Sequence, residues 1–136
     1  IIEIKRTHEM LEEVFDSYFH EYGISDSKFN VLVILYKNPE KSMMLSEIGE
    51  RMLVTKANIT GLIDRLERQG LVRRIRDDMD RRKIRAVMTE KGRNFTAEII
   101  ERYKEWTAKI MATLDDREKN QLIGIMTKLQ NGLVNL

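Results

Sequence analysis

The sequence predicts a mainly α-helical fold that carries one small β-hairpin, and two observations lead to this prediction. Apolar residues recur at spacings of three and four along most of the 136-residue chain, which is the period of an amphipathic helix. The exception is residues 71–88, where two short runs, 71–76 and 84–88, are β-branched and partly alternating. The residues between these runs are charged except for Met79, as expected for the tip of a hairpin.

The apolar pattern in the first part of the chain predicts two helices. Residues 1–22 carry an aromatic-rich apolar stripe at helical spacing, and Gly23 ends this helix. A second helix is predicted to begin at Ser25 or Asp26 and to end before Pro39, and its VLVILY run indicates burial on nearly all sides. The stripe of the first helix consists of Ile4, His8, Leu11, Phe15, Tyr18 and Tyr22.

The next two helices are separated by a very short turn. The first covers about residues 45–52. Thr55 is a good N-cap for the second, and Gly70 stands where a left-handed residue would end it. Its buried face consists of Ile59, Leu62, Ile63 and Leu66. Two helices joined in this way form a helix-turn-helix, whose second helix enters the major groove of DNA, and the hairpin that follows makes it a winged helix-turn-helix.

The other face of this second helix is small and polar, and positive charge is concentrated around it. Ala57 and Gly61 let the helix backbone approach another surface closely. Residues 56–85 hold ten basic and five acidic side chains, so they carry +5, while the rest of a chain whose total is +2 carries −3. This concentration indicates a polyanionic partner, and a solvated charged surface is the alternative. The polar face consists of Lys56, Ala57, Asn58, Thr60, Gly61 and Arg65.

The C-terminal part predicts two further helices. Thr89 caps a long helix that reaches about Thr113, with an aromatic-rich stripe. Asp115 with Glu118 forms a box-like start for a last helix that ends near Asn135. The two stripes consist of Phe95, Ile99, Tyr103, Trp106 and Ile110, and of Leu122, Ile125, Met126, Leu129 and Leu133.

The apolar stripes of the terminal helices predict a homodimer. One small winged helix domain cannot bury all of them, whereas a second copy of the chain can cover them. A dimer also suits DNA, because two recognition helices about one helical turn apart can read a pseudo-palindromic operator. We therefore expect an N-terminal dimerisation helix at 1–24, a DNA-binding lobe at 25–89 and C-terminal dimerisation helices at 90–136.

Composition excludes several other classes of protein. The chain has no cysteine, which excludes disulfides, thiolate metal sites and thiol redox sensing. It has neither a membrane-spanning apolar run nor a signal peptide, so we expect a soluble, cytoplasmic protein. No phosphate-binding loop, nucleophile elbow or His–carboxylate motif occurs, and His8 and His20 are too few for a metal sensor. We therefore expect no enzymatic activity, no cofactor and no bound metal.

The hairpin and its flanks resemble one family of DNA-binding proteins. Residues 80–89, DRRKIRAVMT, resemble the wing signature of the MarR-type (multiple antibiotic resistance) regulators, which has Asp, any residue, Arg, five residues and then Leu-Thr. Met88 stands where Leu is usual, a change of similar size and polarity. Residues 62–74 and 90–92 also resemble the family, and the likeness in element order covers essentially the whole chain.

The resemblance implies a homodimeric winged helix transcription regulator, and we expect a repressor that a small, aromatic effector releases from DNA. By position, Arg82 enters the minor groove, whose negative potential attracts an inserted Arg, and Asp80 orients the wing by ion pairing. The alternative is that Asp80 and Arg82 pair only within the hairpin. The side chains expected at the major groove are Thr55, Lys56, Asn58 and Thr60, with Ala57 and Arg65 beside them.

Aromatic side chains supply the candidates for an effector pocket. In this family ligands tend to bind between the dimerisation helices and the DNA-binding lobe. The candidates there are Phe15, Tyr18, Phe19, Tyr36 and Trp106, although aromatic residues at helical spacing also fit a plain core.

A further alternative is a winged helix adaptor that binds proteins without DNA. In such an adaptor we expect a wing without an excess of basic side chains, whereas this wing carries Arg81, Arg82 and Lys83.

Overall fold

The computed structural model describes residues 1–134, in which the chain forms six α-helices, one short 3₁₀ helix and a three-stranded antiparallel sheet. The elements in order are α1 (Ile2–Glu21), α2 (Asp26–Lys37), β1 (Ser42–Met44), α3 (Leu45–Met52), α4 (Lys56–Arg68), β2 (Val72–Arg76), β3 (Ile84–Met88), α5 (Glu90–Ile110), the 3₁₀ helix (Met111–Thr113) and α6 (Asp116–Val134). The predicted mainly α fold with a winged helix-turn-helix is confirmed. Asn135, near which the last helix was predicted to end, lies outside the described residues.

The chain divides into two compact units. The first is Ile1–Glu98 and holds α1 to α4, the sheet and the start of α5. The second begins at Ile99 and holds the rest of α5, the 3₁₀ helix and α6. The functional division into residues 1–24, 25–89 and 90–136 stays a prediction.

Side-chain caps define several helix starts as predicted. The hydroxyl oxygens of Ser25, Thr55 and Thr89 each accept a backbone N–H from the first turn of the helix that follows, at 3.2, 3.2 and 2.9 Å. Before α6 the backbone N–H of Asp115 donates to Glu118 at 2.9 Å, and the backbone N–H of Glu118 donates back to Asp115 at 2.8 Å. These contacts satisfy N–H groups that a helix leaves without internal partners.

The sheet contains one strand that the sequence analysis missed. The sequence predicted only the hairpin of β2 and β3, but β1 pairs antiparallel with β3, with Met43 opposite Ala86. The strand order is therefore β1-β3-β2. A strand of three residues is too short to show an alternating pattern, and Ser42, Met43 and Met44 include no β-branched residue.

The core of the first unit lies between α2, α3, α4 and the sheet. Two glycines shape its edge. Gly70 has a φ of 74°, in the left-handed region, and turns the chain out of α4. A Cβ on Gly92 would overlap the carbonyl oxygen of Leu71, so only glycine allows α5 to pass this close to the start of β2. The buried core consists of Val31, Leu32, Leu35, Met43, Ile48, Ile59, Leu62, Ile63, Leu66, Leu71, Val72, Ala86 and Met88.

Aromatic packing joins α1 to α2. Phe19 is fully buried, and the centroid of its ring lies 4.8 Å from that of Phe29 and 5.3 Å from that of Tyr18. Asp26 begins α2 close to α1, and its pKa is raised, chiefly because burial disfavours the charged form and also because Glu12 lies nearby. Tyr18 and Phe19 of α1 are thus part of the first unit's packed interior.

Both ends of the chain leave apolar side chains exposed. In the second unit, α5 ends at Ile110 and the 3₁₀ helix reaches Thr113, the residue at which the long helix was predicted to end. The exposed apolar residues of α6 include Leu122, Ile123, Ile125, Met126, Leu129 and Leu133. In the first unit, α1 exposes Ile2, Ile4, Met10, Leu11 and Val14. These stripes are larger than the isolated exposed side chains that are normal on a surface.

Candidate nucleic-acid interface

Helix α4 separates a buried face from an exposed one. Ile59, Leu62, Ile63 and Leu66 point into the core. The six side chains predicted to lie at or beside the major groove are all exposed: Thr55, Lys56, Ala57, Asn58, Thr60 and Arg65. The helix therefore offers the whole predicted set to a partner in solution.

Two of these side chains are engaged within the helix itself. The Thr55 hydroxyl oxygen accepts the backbone N–H of Asn58 at 3.2 Å, and the Thr60 hydroxyl donates to the Lys56 carbonyl at 2.8 Å. Within residues 1–134 the Lys56 ammonium and the Asn58 amide make no hydrogen bond or ion pair. Their polar groups are therefore fully available to bases or phosphates.

Arg65 lies further along the same helix, next to Gly61. A Cβ placed on Gly61 would lie 3.7 Å from the nearest guanidinium nitrogen of Arg65. In the described part of the chain the guanidinium has no carboxylate partner. It therefore adds an available positive charge beside the polar face.

Two aspartates shape the tip of the wing through the backbone. A carboxylate oxygen of Asp77 accepts the N–H of Met79 at 2.9 Å, and one of Asp80 accepts the N–H of Arg82 at 3.0 Å. The tip closes where the Asp77 N–H donates to the Lys83 carbonyl and the Lys83 N–H donates to the Asp80 carbonyl, both at 2.9 Å. Side-chain turns of this kind define a loop conformation without a hydrophobic core.

Asp80 thus orients the wing by a hydrogen bond where the sequence analysis expected an ion pair. Within residues 1–134 its carboxylate forms no salt bridge, and Arg82 forms none either. The carboxylate instead meets the backbone nitrogen two residues ahead, as Asp side chains commonly do in turns. The arrangement leaves the Arg82 guanidinium exposed and unneutralised.

A cleft of about 740 Å³ lies between the helix-turn-helix and the wing. Lys56 and Thr60 of α4 line one part of it, and Arg82 and Lys83 of the wing line another. Three cations therefore share this lining with a single acidic residue, Glu50. The other lining residues are Met44, Leu45, Ser46, Gly49, Leu53, Val54, Ile59 and Ile84. The structure thus brings predicted contacts from the helix and from the wing to one surface feature.

Leu53 is a lining residue of this cleft that the sequence analysis did not single out. It follows α3 with a φ of 56°, in the left-handed region that residues other than glycine seldom adopt. The residue is 92% exposed. No sequence pattern signals a left-handed leucine, because glycine or asparagine is the usual residue in this conformation.

Two arginines of the basic segment are neutralised within the first unit. Arg74 forms ion pairs with Asp64 and Glu67, and Arg85 pairs with Glu40 at 3.3 Å. Among the residues that the structure describes, the other basic side chains of residues 56–85 form no ion pair. These available cations are Lys56, Arg65, Arg68, Arg73, Arg76, Arg81, Arg82 and Lys83.

The aromatic candidates for an effector pocket lie in three places. Phe15, Tyr18 and Phe19 are together on α1, with 6.5 Å between the rings of Phe15 and Phe19. Tyr36 packs against the core of the first unit, with the Lys41 ammonium 4.5 Å from its ring centroid. Trp106 belongs to the second unit, where its ring lies 6.2 Å from that of Tyr103. The buried partner Phe29 was not among the sequence candidates, because it lay within an apolar helix.

Two further findings concern metals and membranes. Within residues 1–134, no three His, Asp or Glu side chains come together in an arrangement that could hold a metal ion. In the same part of the chain, no helix is both long enough and apolar enough to span a membrane.

A helix-turn-helix whose second helix exposes a polar face, next to a basic wing, defines a winged helix DNA-binding protein. The sequence profile of the MarR family matches residues 24–84. The chain is 30% identical over 119 residues to the HTH-type transcriptional repressor YetL of Bacillus subtilis (strain 168), covering 88% of this chain and 71% of YetL. It therefore belongs to the MarR family, and it is a DNA-binding transcription regulator.

Other comparisons agree in sequence and in fold. The uncharacterized HTH-type transcriptional regulator YkoM of the same organism is 35% identical over 109 residues, with 79% of this chain and 69% of YkoM covered. The structure of Sco3205, a MarR family transcriptional regulator from Streptomyces coelicolor in complex with DNA, superposes with a TM-score of 0.87. That match covers 96% of this chain and 83% of Sco3205 at 21% sequence identity, so it supports the fold.

Proposed function

We propose that this protein is a repressor that binds a pseudo-palindromic operator as a homodimer and is released by a small aromatic effector. The observation that carries the DNA-binding part is the cleft shared by α4 and the wing. Lys56 and Thr60 line it from the helix, and Arg82 lines it from the wing. One strand of a duplex that lies along this cleft would have the major groove on the α4 side and the minor groove on the wing side.

The proposed DNA contacts differ according to which polar group each side chain leaves available. The Asn58 amide can bond an adenine edge, and the Lys56 ammonium can bond guanine or a phosphate. Arg82 would enter the minor groove, with Asp80 holding the backbone beside it. The other four residues would lie against the DNA backbone and the wall of the groove. They are Thr55 and Thr60, whose hydroxyls are engaged within the helix, Ala57, whose side chain is small, and Arg65, which is positively charged.

The homodimer is supported by the exposed apolar stripes at both ends of the chain. Leu122, Leu129 and Leu133 of α6 are exposed, as are Ile4 and Leu11 of α1. A second copy would remove these stripes from water, which is the main driving force of protein association. Terminal segments 1–24 and 90–136 would thus form the dimer base, with residues 25–89 as the DNA-binding lobe.

The repressor role is supported by relatives that are named as repressors, such as YetL. Release by an effector is supported by the family resemblance of the wing and by the aromatic side chains of α1. Phe15, Tyr18, Phe19, Tyr36 and Trp106 remain the candidate contacts for an aromatic ligand. Such a regulator needs no catalytic residue or cofactor and would act in the cytoplasm, where its DNA is found.

Selection of DNA fragments from a random pool tests the proposal. Purified protein should enrich one pseudo-palindromic sequence. One protein dimer should then bind each labelled duplex of that sequence. A lower salt concentration should strengthen binding, because lysine and arginine contacts release counterions from the phosphates. Enrichment of no sequence, with retained folding, would favour the protein adaptor that binds without DNA.

A further inference from the structure

We propose that Arg74 is a positioning residue that holds the wing strand β2 against the recognition helix α4. Its guanidinium forms ion pairs with Asp64 and, at 3.3 Å, with Glu67, and it also donates to the carbonyl oxygen of Thr60 at 3.1 Å. The side chain of Arg74 is only 24% exposed, so it lies against the protein rather than in solution. This inference rests on the proposed use of the wing in DNA binding.

The three groups that Arg74 contacts lie along one side of α4. Residues 60, 64 and 67 are spaced by four and three, and such residues are neighbours on a helix surface. Arginine suits this stripe because its planar guanidinium has five donors in a rigid fork, so one side chain can bond several acceptors at once. Lysine has a single ammonium and cannot reproduce this geometry.

Glu67 extends the link from the side chain to the backbone of β2. The strand order places β2 at an edge of the sheet, and Glu67 accepts the backbone N–H of Arg74 at 2.8 Å. An edge strand leaves alternate N–H groups without partners in the sheet. Here a carboxylate of α4 satisfies one of them, so the wing is attached to the helix by main chain and side chain together.

The charges of this cluster separate a positioning role from a direct electrostatic one. Asp64, Glu67 and Arg74 together carry −1. If the cluster acted on DNA only through its field, removal of the Asp64 carboxylate would strengthen binding to the phosphate backbone. If Arg74 positions the wing, the same change should weaken binding, because β2 loses part of its attachment to α4.

The first arm of the test compares Asp64→Ala with Asp78→Ala in the full chain. Asp78 lies in the wing loop and forms no hydrogen bond or ion pair within residues 1–134, so it is a control for loss of one acidic charge. We expect Asp64→Ala to weaken operator binding by about threefold or more, and Asp78→Ala to leave it unchanged or strengthen it. Unchanged or tighter binding by Asp64→Ala would overturn the positioning role.

The second arm measures the coupling between Arg74 and the wing residue Arg82. In a double-mutant cycle, Arg82→Ala should cost much less affinity in an Arg74→Gln protein than in the wild type, because the wing is already misplaced. Thermal unfolding and circular dichroism establish that each variant is folded, and Asp64→Ala replaces Arg74→Gln in the cycle if the latter does not fold.

The outcomes of the cycle are distinct. If Arg82→Ala weakens binding equally in both backgrounds, Arg74 does not act through the wing and this inference is wrong. If Arg82→Ala has no effect in the wild type, the proposed wing contact is itself wrong and the inference falls with it. Arg74→Lys keeps the charge without the fork, so it should not restore the coupling; full restoration by lysine would show that charge alone is sufficient and that the fork geometry is not needed.

Discussion

The Asp80 carboxylate lies 3.0 Å from the backbone nitrogen of Arg82 and accepts its N–H. The contact determines the backbone path at the residue whose side chain is proposed to enter the minor groove. Because the carboxylate bonds the main chain, the guanidinium of Arg82 keeps its full charge for DNA. In the proposed contact the Asp and Arg of the wing motif would therefore act together without neutralising each other.

This relationship predicts different effects for two substitutions of Asp80. Asp80→Asn keeps an oxygen that can accept the Arg82 N–H, so operator affinity should remain within about twofold of the wild type. Asp80→Ala removes the acceptor and should weaken binding by about fivefold, the equivalent of one hydrogen bond of about 1 kcal/mol. Fluorescence anisotropy with a labelled operator measures both. An equal loss in the two variants would instead support an ion pair as the function of Asp80.

The close approach of Gly92 to Leu71 predicts that a larger residue at position 92 destabilises the fold. A Cβ at this position would overlap the Leu71 carbonyl oxygen, so Gly92→Ala should lower the free energy of unfolding by about 1–3 kcal/mol. Gly61→Ala is the matched control, since its Cβ would meet only the flexible end of Arg65, at 3.7 Å. The control should be neutral or stabilising by up to about 1 kcal/mol, because alanine favours a helix. Denaturant unfolding measures both, and equal stability of the two variants would contradict the close approach.

The exposed stripe of α6 predicts the dimer interface. Aspartate at both Leu129 and Leu133 should place uncompensated charge in the interface and dissociate the dimer. DNA binding should be lost with it, because a single recognition helix keeps only half of the contacts. Aspartate at Asn120 and Thr127, on the opposite side of α6, is the control and should leave the dimer intact. Sedimentation measures the mass, and a stable dimer of the Leu129 and Leu133 variant would locate the interface elsewhere.

The effector proposal predicts a change in both DNA binding and fluorescence. A phenol or aromatic acid can release the operator only if it binds one conformation better than the other, and a tenfold loss of affinity needs about 1.4 kcal/mol of that difference. Trp106 is the single tryptophan, so its emission reports on a ligand that lies beside it. A titration should weaken operator binding without unfolding the protein. If no compound changes either signal up to millimolar concentration, another ligand or constitutive binding becomes the better account.

The helices could be predicted because their signals are local. The apolar period and the caps at Ser25, Thr55 and Thr89 depend on residues within one or two turns, so the expected starts of α2, α4 and α5 agree with the structure. The hairpin was predictable for the same reason, since β3 covers the expected residues 84–88. By contrast, β1 exists because β3 pairs with it, and its three residues carry no signal of their own.

The exposure of the candidate side chains was predictable from the sequence, but their electrostatic partners were less so. The exposure of Lys56, Asn58 and Arg82 follows from the helical period and from the turn residues of the wing. The neutralisation of Arg74 depends on a carboxylate ten residues earlier that only the packing of β2 on α4 brings near. A charge count along the chain treats such an arginine like a free one, and it therefore overstates the charge that faces DNA.

We propose that the wing and α4 bind the operator together, and the operator affinity of Arg82→Ala is the most direct test of this proposal. Arg117→Ala on α6 is the matched control, since it removes the same charge from an exposed site far along the chain. We expect Arg82→Ala to weaken binding by about 1–3 kcal/mol, or roughly 5- to 150-fold, and Arg117→Ala to bind like the wild type. Wild-type affinity in the Arg82→Ala protein would contradict a contribution of the wing to operator binding.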